Sequence, residues 1–138
     1  MFLIRPGQPG DLPEISAIQA ASPQASDWQP ESYLEYGFAV AVDKGRVAGF
    51  LVWRIVAEGE WEILNLAVAP EFRRRGAARS LFEVLRKQFS GDVYLELRAS
   101  NEPARNLYKS FGFQDVGSRP RYYANPPETA IVMKLHSC

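Results

Sequence analysis

The chain has 138 residues, 46% hydrophobic and 23% charged, with 16 Lys+Arg against 16 Asp+Glu and a formal net charge of zero. This is one folded domain's worth of ordinary composition, which excludes an intrinsically disordered protein and removes any global electrostatic pull toward nucleic acid. The lone cysteine, Cys138, and lone histidine, His136, exclude a disulfide framework and a Cys/His metal centre, so neither metal nor thiol chemistry is expected. His136 itself is expected in a fraying tail. The longest apolar runs, such as Phe38 to Val42, are strand-sized and far below the ~18 residues of a spanning helix. The opening MFLIRPGQPGDL lacks the basic-then-apolar pattern of a signal peptide. A cytoplasmic protein with no membrane partner is the expectation.

In chain order, Phe2 to Ile4 reads as a short strand stopped by Pro6 and Gly7. Asp11 stands at a helix N-cap position, with Glu14 three residues on and Ile15 and Ile18 starting an apolar stripe. Ala20 to Pro30 is a loop with Trp28 as an aromatic plug, and Glu31 to Tyr36 a short second helix. Phe38 to Val42 and Val47 to Val56 are strands joined by Asp43-Lys-Gly45, a hairpin signal. A turn at Glu58-Gly59 leads to a strand from Trp61 to Val68. From Gly76 the period changes: Ala78, Leu81, Phe82, Leu85 and Phe89 fall on one helical face, ended by Ser90-Gly91-Asp92. Val93 to Arg98 is a strand with Val93, Leu95 and Leu97 on one face and Tyr94, Glu96 and Arg98 on the other. A helix spans about Glu102 to Phe111, with Gly112 as its C′ residue. Strands near Gln114 to Gly117 and Ala130 to Leu135 close the chain. The order β-α-α-β-β-β-α-β-α-β-β gives an α/β (α+β) class: a mixed, mostly antiparallel sheet of six to seven strands flanked by about four helices, in a single domain over 1–138.

Three segments carry chemistry. Leu66-Ala-Val-Ala-Pro-Glu-Phe-Arg-Arg-Arg-Gly-Ala-Ala78 runs from an apolar strand through arginines and a glycine straight into a helix. Unsatisfied first-turn N–H groups, the helix dipole and Gly76 make an anion cradle there; the simpler reading is a solvated arginine run. Glu96 faces away from the packed side of its strand, where a carboxylate suits a general base, or pairs with Arg98 or Arg54 on the sheet surface. Asn101 is an N-cap with Pro103 just inside the helix, and Tyr108 on the apolar face is either plain core or a buried hydroxyl donor for a ligand.

Together these segments resemble the GNAT superfamily of N-acetyltransferases, and its RimI branch of ribosomal-protein-alanine N-acetyltransferases in particular. Arg73-Arg-Arg-Gly-Ala-Ala78 is similar to the superfamily's (Q/R)-x-x-G-x-(G/A) loop. Leu95-Glu-Leu-Arg-Ala-Ser-Asn101, Asn106-Leu-Tyr-Lys-Ser-Phe-Gly-Phe113, and Arg119-x-x-Tyr122-Tyr123 with Glu128-x-Ala130 and Met133 are similar to the branch. The resemblance implies the GNAT fold, acetyl-CoA as co-substrate without metal, and a protein or peptide N-terminus as acceptor, namely the N-terminal alanine of a ribosomal protein. It implies that the backbone of Leu66, Ala67 and Val68 binds the pantetheine arm, and that the amides of Arg73, Arg74, Arg75, Gly76, Ala77 and Ala78 hold the pyrophosphate. Asn101 then contacts coenzyme A, Glu96 accepts the amine's proton, and Tyr108 protonates the departing thiolate.

Without an internal cysteine to carry an acyl-enzyme, direct transfer in a ternary complex is expected. Trp28, Tyr33, Tyr122 and Tyr123 are candidates for an acceptor groove or for core. A small-molecule amine is the alternative acceptor. A non-catalytic acetyl-CoA-binding GNAT domain and an arginine-rich RNA-associated module are the alternatives outside catalysis. The expected state is a monomer or weak dimer.

Overall fold

The apolar runs become seven strands in the computed structural model, which describes residues 1–22, 28–124 and 127–137. They are β1 (Leu3–Pro6), β2 (Gly37–Asp43), β3 (Arg46–Ala57), β4 (Glu60–Val68), β5 (Gly91–Arg98), β6 (Gln114–Ala124) and β7 (Pro127–Ser137), in spatial order β1-β2-β3-β4-β5-β7-β6. The helices are α1 (Leu12–Ala20), α2 (Ala77–Arg86) and α3 (Glu102–Ser110). β1/β2, β2/β3, β5/β7 and β6/β7 pair antiparallel, and β4/β5 is parallel. That exception follows from the chain: two strands joined through a helix can return in the same direction, whereas tight turns reverse it.

Two compact units divide the chain, Met1–Arg54 with Ile63–Gln88, and Ile55–Glu62 with Phe89–Cys138. In the first, Ile15 and Ile18 of α1 join Tyr33, Val40, Phe50, Val52, Leu64 and Phe72 in one apolar cluster. The stripe of α2 buries Ala77, Leu81, Phe82 and Leu85, each large side chain contributing about 1.5–3 kcal/mol. In the second, the odd-numbered residues of β5, Val93, Leu95 and Leu97, are buried, while Tyr94, Glu96 and Arg98 remain partly open. Tyr108 of α3 packs edge-on against Phe113, 5.4 Å between centroids. Gly91, at φ +93°, sits so close to the Gly59 carbonyl that an added Cβ would lie 2.3 Å from its oxygen.

Several expectations change. The short second helix expected over Glu31 to Tyr36 is a 3-10 helix, Pro30–Glu35, with Tyr36 just past its end, a length at which the tighter form is common. α2 stops at Arg86, and the buried residue of its first turn is Ala77 rather than Ala78. Phe89 is buried nonetheless, against Trp61. Asp11 precedes α1 without capping it: its carboxylate accepts the Gln8 N–H (2.8 Å) and both Arg5 terminal nitrogens (2.8 and 2.9 Å). The last strands are longer than their apolar alternation suggests, because cross-strand pairing rather than burial sets the extent of the exposed β6. His136 lies within β7, its Nδ1 2.6 Å from Asp92 Oδ1, and so does not fray. In the expected Ala20 to Pro30 loop, residues 23–27 lie outside the described set, as does Cys138.

Candidate active site

In the first unit, β4 runs through Leu66, Ala67 and Val68 into a 3-10 turn, Pro70–Phe72, and the arginine loop. Arg74 at φ +63° and Gly76 at φ +85° bend the loop into the start of α2. The Arg73 N–H is engaged by the Pro70 carbonyl (3.3 Å). The N–H groups of Arg74 through Ala78 make no backbone hydrogen bond among the described residues, as the first turn of a helix leaves them. All three arginines are exposed, as a solvated run would be, and they differ in their contacts. Arg75 reaches Asp43 (3.4 Å) and lies over the rings of Phe2 and Phe72. Arg73 reaches the Val68 carbonyl and Ser22, leaving Arg74 as an exposed cation beside the amides.

Beneath this strand lies a polar network that sequence reasoning missed. Asn65 is buried in β4. Its Nδ2 donates to the Tyr33 hydroxyl (3.0 Å) and to Gln19 Oε1 (3.3 Å), and its Oδ1 accepts the Leu66 N–H (3.0 Å). Tyr33 donates to Gln19 Oε1 (2.5 Å), and Gln19 Nε2 donates to the Trp28 carbonyl (2.6 Å). Tyr33 is therefore core. Trp28 is half-buried, edge-on to Tyr36. The one signal for this network was a polar residue inside the apolar run from Ile63 to Val68.

In the second unit, Glu96 stands on the open face of β5, opposite Val132 of β7. Its ion partner is neither Arg98 nor Arg54 but Arg119 of β6, 3.1 Å away. Arg98 instead pairs with Glu128 (3.4 Å) and lies 4.4 Å over the Tyr123 ring. Glu128 also accepts the Ser100 N–H (2.5 Å), tying down the turn before Asn101. Hydrogen bonds from Ser100, then Arg98, hold the Glu128 carboxyl below the usual carboxylate range. Burial pushes the Tyr123 phenol up, helped by the Glu96 charge. Tyr122 is exposed and edge-on to Tyr123, and it lies under the guanidinium of Arg119, the ion partner of Glu96.

Asn101 caps α3 as expected, its Oδ1 accepting the Ala104 N–H (3.3 Å); its side-chain NH₂ makes no hydrogen bond among the described residues. Tyr108 is buried in the apolar stripe of α3, and its hydroxyl makes no hydrogen bond among the described residues. Burial pushes that phenol far up, so it stays protonated at neutral pH. The second unit thus holds a largely buried carboxylate, Glu96, paired with Arg119, and a buried tyrosine, Tyr108, whose hydroxyl has no hydrogen-bond partner among the described residues. Among the described residues no group of three or more His, Cys, Asp or Glu side chains is arranged to hold a metal ion. No helix among them is long and apolar enough to cross a membrane.

The mixed, mostly antiparallel seven-stranded sheet with its flanking helices is the fold of solved N-acetyltransferases. The chain belongs to the Acetyltransferase (GNAT) family, whose profile matches residues 11–113. It is 35% identical over 113 residues to the [ribosomal protein bS18]-alanine N-acetyltransferase of Escherichia coli (strain K12), covering 78% of this chain and 74% of that one. A Bacillus subtilis (strain 168) relative, provisionally named for the same activity, is 34% identical over 135 residues, covering 89% and 87%. The crystal structure of the ribosomal-protein-S18-alanine N-acetyltransferase from Escherichia coli superposes with a TM-score of 0.80 at 28% identity, covering all of this chain and 96% of that one.

Proposed function

We propose that the chain, as one acetyltransferase domain, moves an acetyl group from acetyl-CoA to the α-amine of a protein N-terminus, the N-terminal alanine of a ribosomal protein. The observation that carries this is Glu96, partly open on β5 and paired with Arg119, whose guanidinium lies over the ring of Tyr122, in a chain whose relatives are named for that acceptor. The free amides of Arg74 through Ala78 and the exposed Arg74 fit a pyrophosphate. The Arg73 N–H is engaged, so Arg73 contributes through its side chain. Leu66, Ala67 and Val68 would hold the pantetheine arm through backbone groups; because Asn65 engages the Leu66 N–H, the Leu66 carbonyl and the residues after it carry that pairing. Asn101 contributes its side-chain NH₂ to coenzyme A.

The bound co-substrate supplies an activated acetyl thioester. The amine nitrogen forms the new bond to the acetyl carbon as the carbon–sulfur bond breaks. Glu96 takes the amine's proton, directly or through one water, and Tyr108 gives its proton to the departing thiolate. An α-amine titrates near ~8 against ~10.4 for lysine, so its neutral form costs about 3 kcal/mol less at pH 7, and a single carboxylate suffices. In this reading the protein works in the cytoplasm as a monomer or weak dimer, with no nucleic-acid or membrane partner. Thiol release from acetyl-CoA, measured over peptides that differ only in their first residue and over polyamines, tests the acceptor. Turnover is expected with Ala-starting peptides, and preference for polyamines would overturn it.

A further inference from the structure

We propose that Arg119 is the positioning residue of the Glu96 carboxylate, holding Oε1 so that Oε2 meets the acceptor amine. This rests on Glu96 being the proton acceptor. Glu96 is the end of a flexible side chain on an open sheet face, and the Arg119 Nη2 contact to Oε1 at 3.1 Å is its one ion pair among the described residues. The nearer cation in sequence, Arg98, is committed to Glu128 and the Tyr123 ring. Oε2 therefore remains to face an incoming N–H.

The strand is built to deliver Arg119. Its guanidinium lies 5.4 Å over the ring of Tyr122, three residues on. In a regular strand, residues three apart point to opposite faces. Here Arg119 pairs with Ala130 and Tyr123 with Glu128, so residues 120–122 of β6 bulge opposite residue 129 alone, and Arg121 takes φ +54°. The bulge turns Tyr122 back beneath Arg119, re-aiming a side chain as bulges next to active sites do. Arg119 is 60% exposed and Glu96 17%, so the pair adds little to stability. Its consequence is orientation, and small misplacements of a reacting group cost large factors in rate.

Steady-state kinetics of R119A, R119K and E96Q with acetyl-CoA and an Ala-starting peptide test this. For R119A, kcat is expected to fall about tenfold or more while KM for acetyl-CoA stays within about twofold. R119K is expected to recover most of kcat, and millimolar guanidinium to restore part of it in R119A but none in E96Q, with urea inert. R119A at wild-type kcat alongside inactive E96Q would overturn the positioning role. So would a loss in R119A that neither lysine nor guanidinium relieves, which marks a structural role. Wild-type activity in E96Q would instead remove Glu96 as proton acceptor, and the role of Arg119 with it.

Discussion

Replacing Asn65 by alanine removes the side chain that links Tyr33, Gln19 and the Leu66 N–H in the buried network of the first unit. At least three hydrogen bonds go: two from Nδ2, to Tyr33 and Gln19, and one to Oδ1 from the Leu66 N–H. Tyr33 still donates to Gln19, and Gln19 still holds the Trp28 carbonyl, so neither is fully orphaned. The Leu66 N–H loses that acceptor, and the Tyr33 oxygen loses the Asn65 donor. At about 1–3 kcal/mol for each buried group left unmet, partly relieved by local shifts, the loss is about 2–4 kcal/mol. That is a large share of the 5–15 kcal/mol typical of a domain. Urea unfolding should show a lower midpoint at unchanged slope, and calorimetry a Tm lower by roughly 10 °C. Combined with Tyr33→Phe, the double-mutant cycle should return a coupling of about 1 kcal/mol. An Asn65→Ala protein within about 0.5 kcal/mol of wild type, or additive single effects, would show that the network does not hold β4 to the segment around Tyr33.

Asp11 gives a pH dependence with a definite sign. Hydrogen bonds from Arg5, then from the Gln8 N–H, hold its folded carboxyl below the usual range. Its contribution is therefore fully present above the unfolded carboxylate range near ~4 and disappears as pH falls through the lower folded value. Asp11→Asn should cost about 2 kcal/mol at pH 7, and the gap to wild type should close at more acid pH; a gap independent of pH would contradict it. Gly76→Ala meets no neighbouring atom within 4 Å but keeps φ +85°, so stability should fall by only about 1 kcal/mol. Its methyl would stand among the loop amides, so calorimetric affinity for acetyl-CoA should drop about tenfold, which is ~1.4 kcal/mol. Unchanged affinity would remove this loop from the coenzyme site.

Local signals were legible wherever periodicity and capping agree. The 3.6-residue stripe through Leu81, Phe82 and Leu85 located α2, the alternation of Val93, Leu95 and Leu97 fixed which way Glu96 faces, and Asn101 capped α3 as its sequence position suggests. Legibility ended where long-range pairing decides. Arg119 lies 23 positions after Glu96 and reaches it only through the register and bulge of β6 on β7; the sequence offers Arg98 as an equally good partner. Asn65 and Tyr33 read separately as a strand residue and an aromatic for either groove or core, and only the packing of α1, the 3-10 helix and β4 makes them one network. Asp11 looked like a cap because an acidic residue at that position usually is one, but a bidentate arginine six residues earlier is the stronger partner.

The most direct test of the acid–base assignment is single-turnover acetyl transfer to an Ala-starting peptide by wild type, Glu96→Gln and Tyr108→Phe, with acetyl-CoA affinity measured on the same samples. Both substitutions are nearly isosteric, so binding should stay within about threefold of wild type while transfer slows by about a hundredfold or more. Transfer at the wild-type rate in both variants would contradict the roles of Glu96 as proton acceptor and Tyr108 as proton donor.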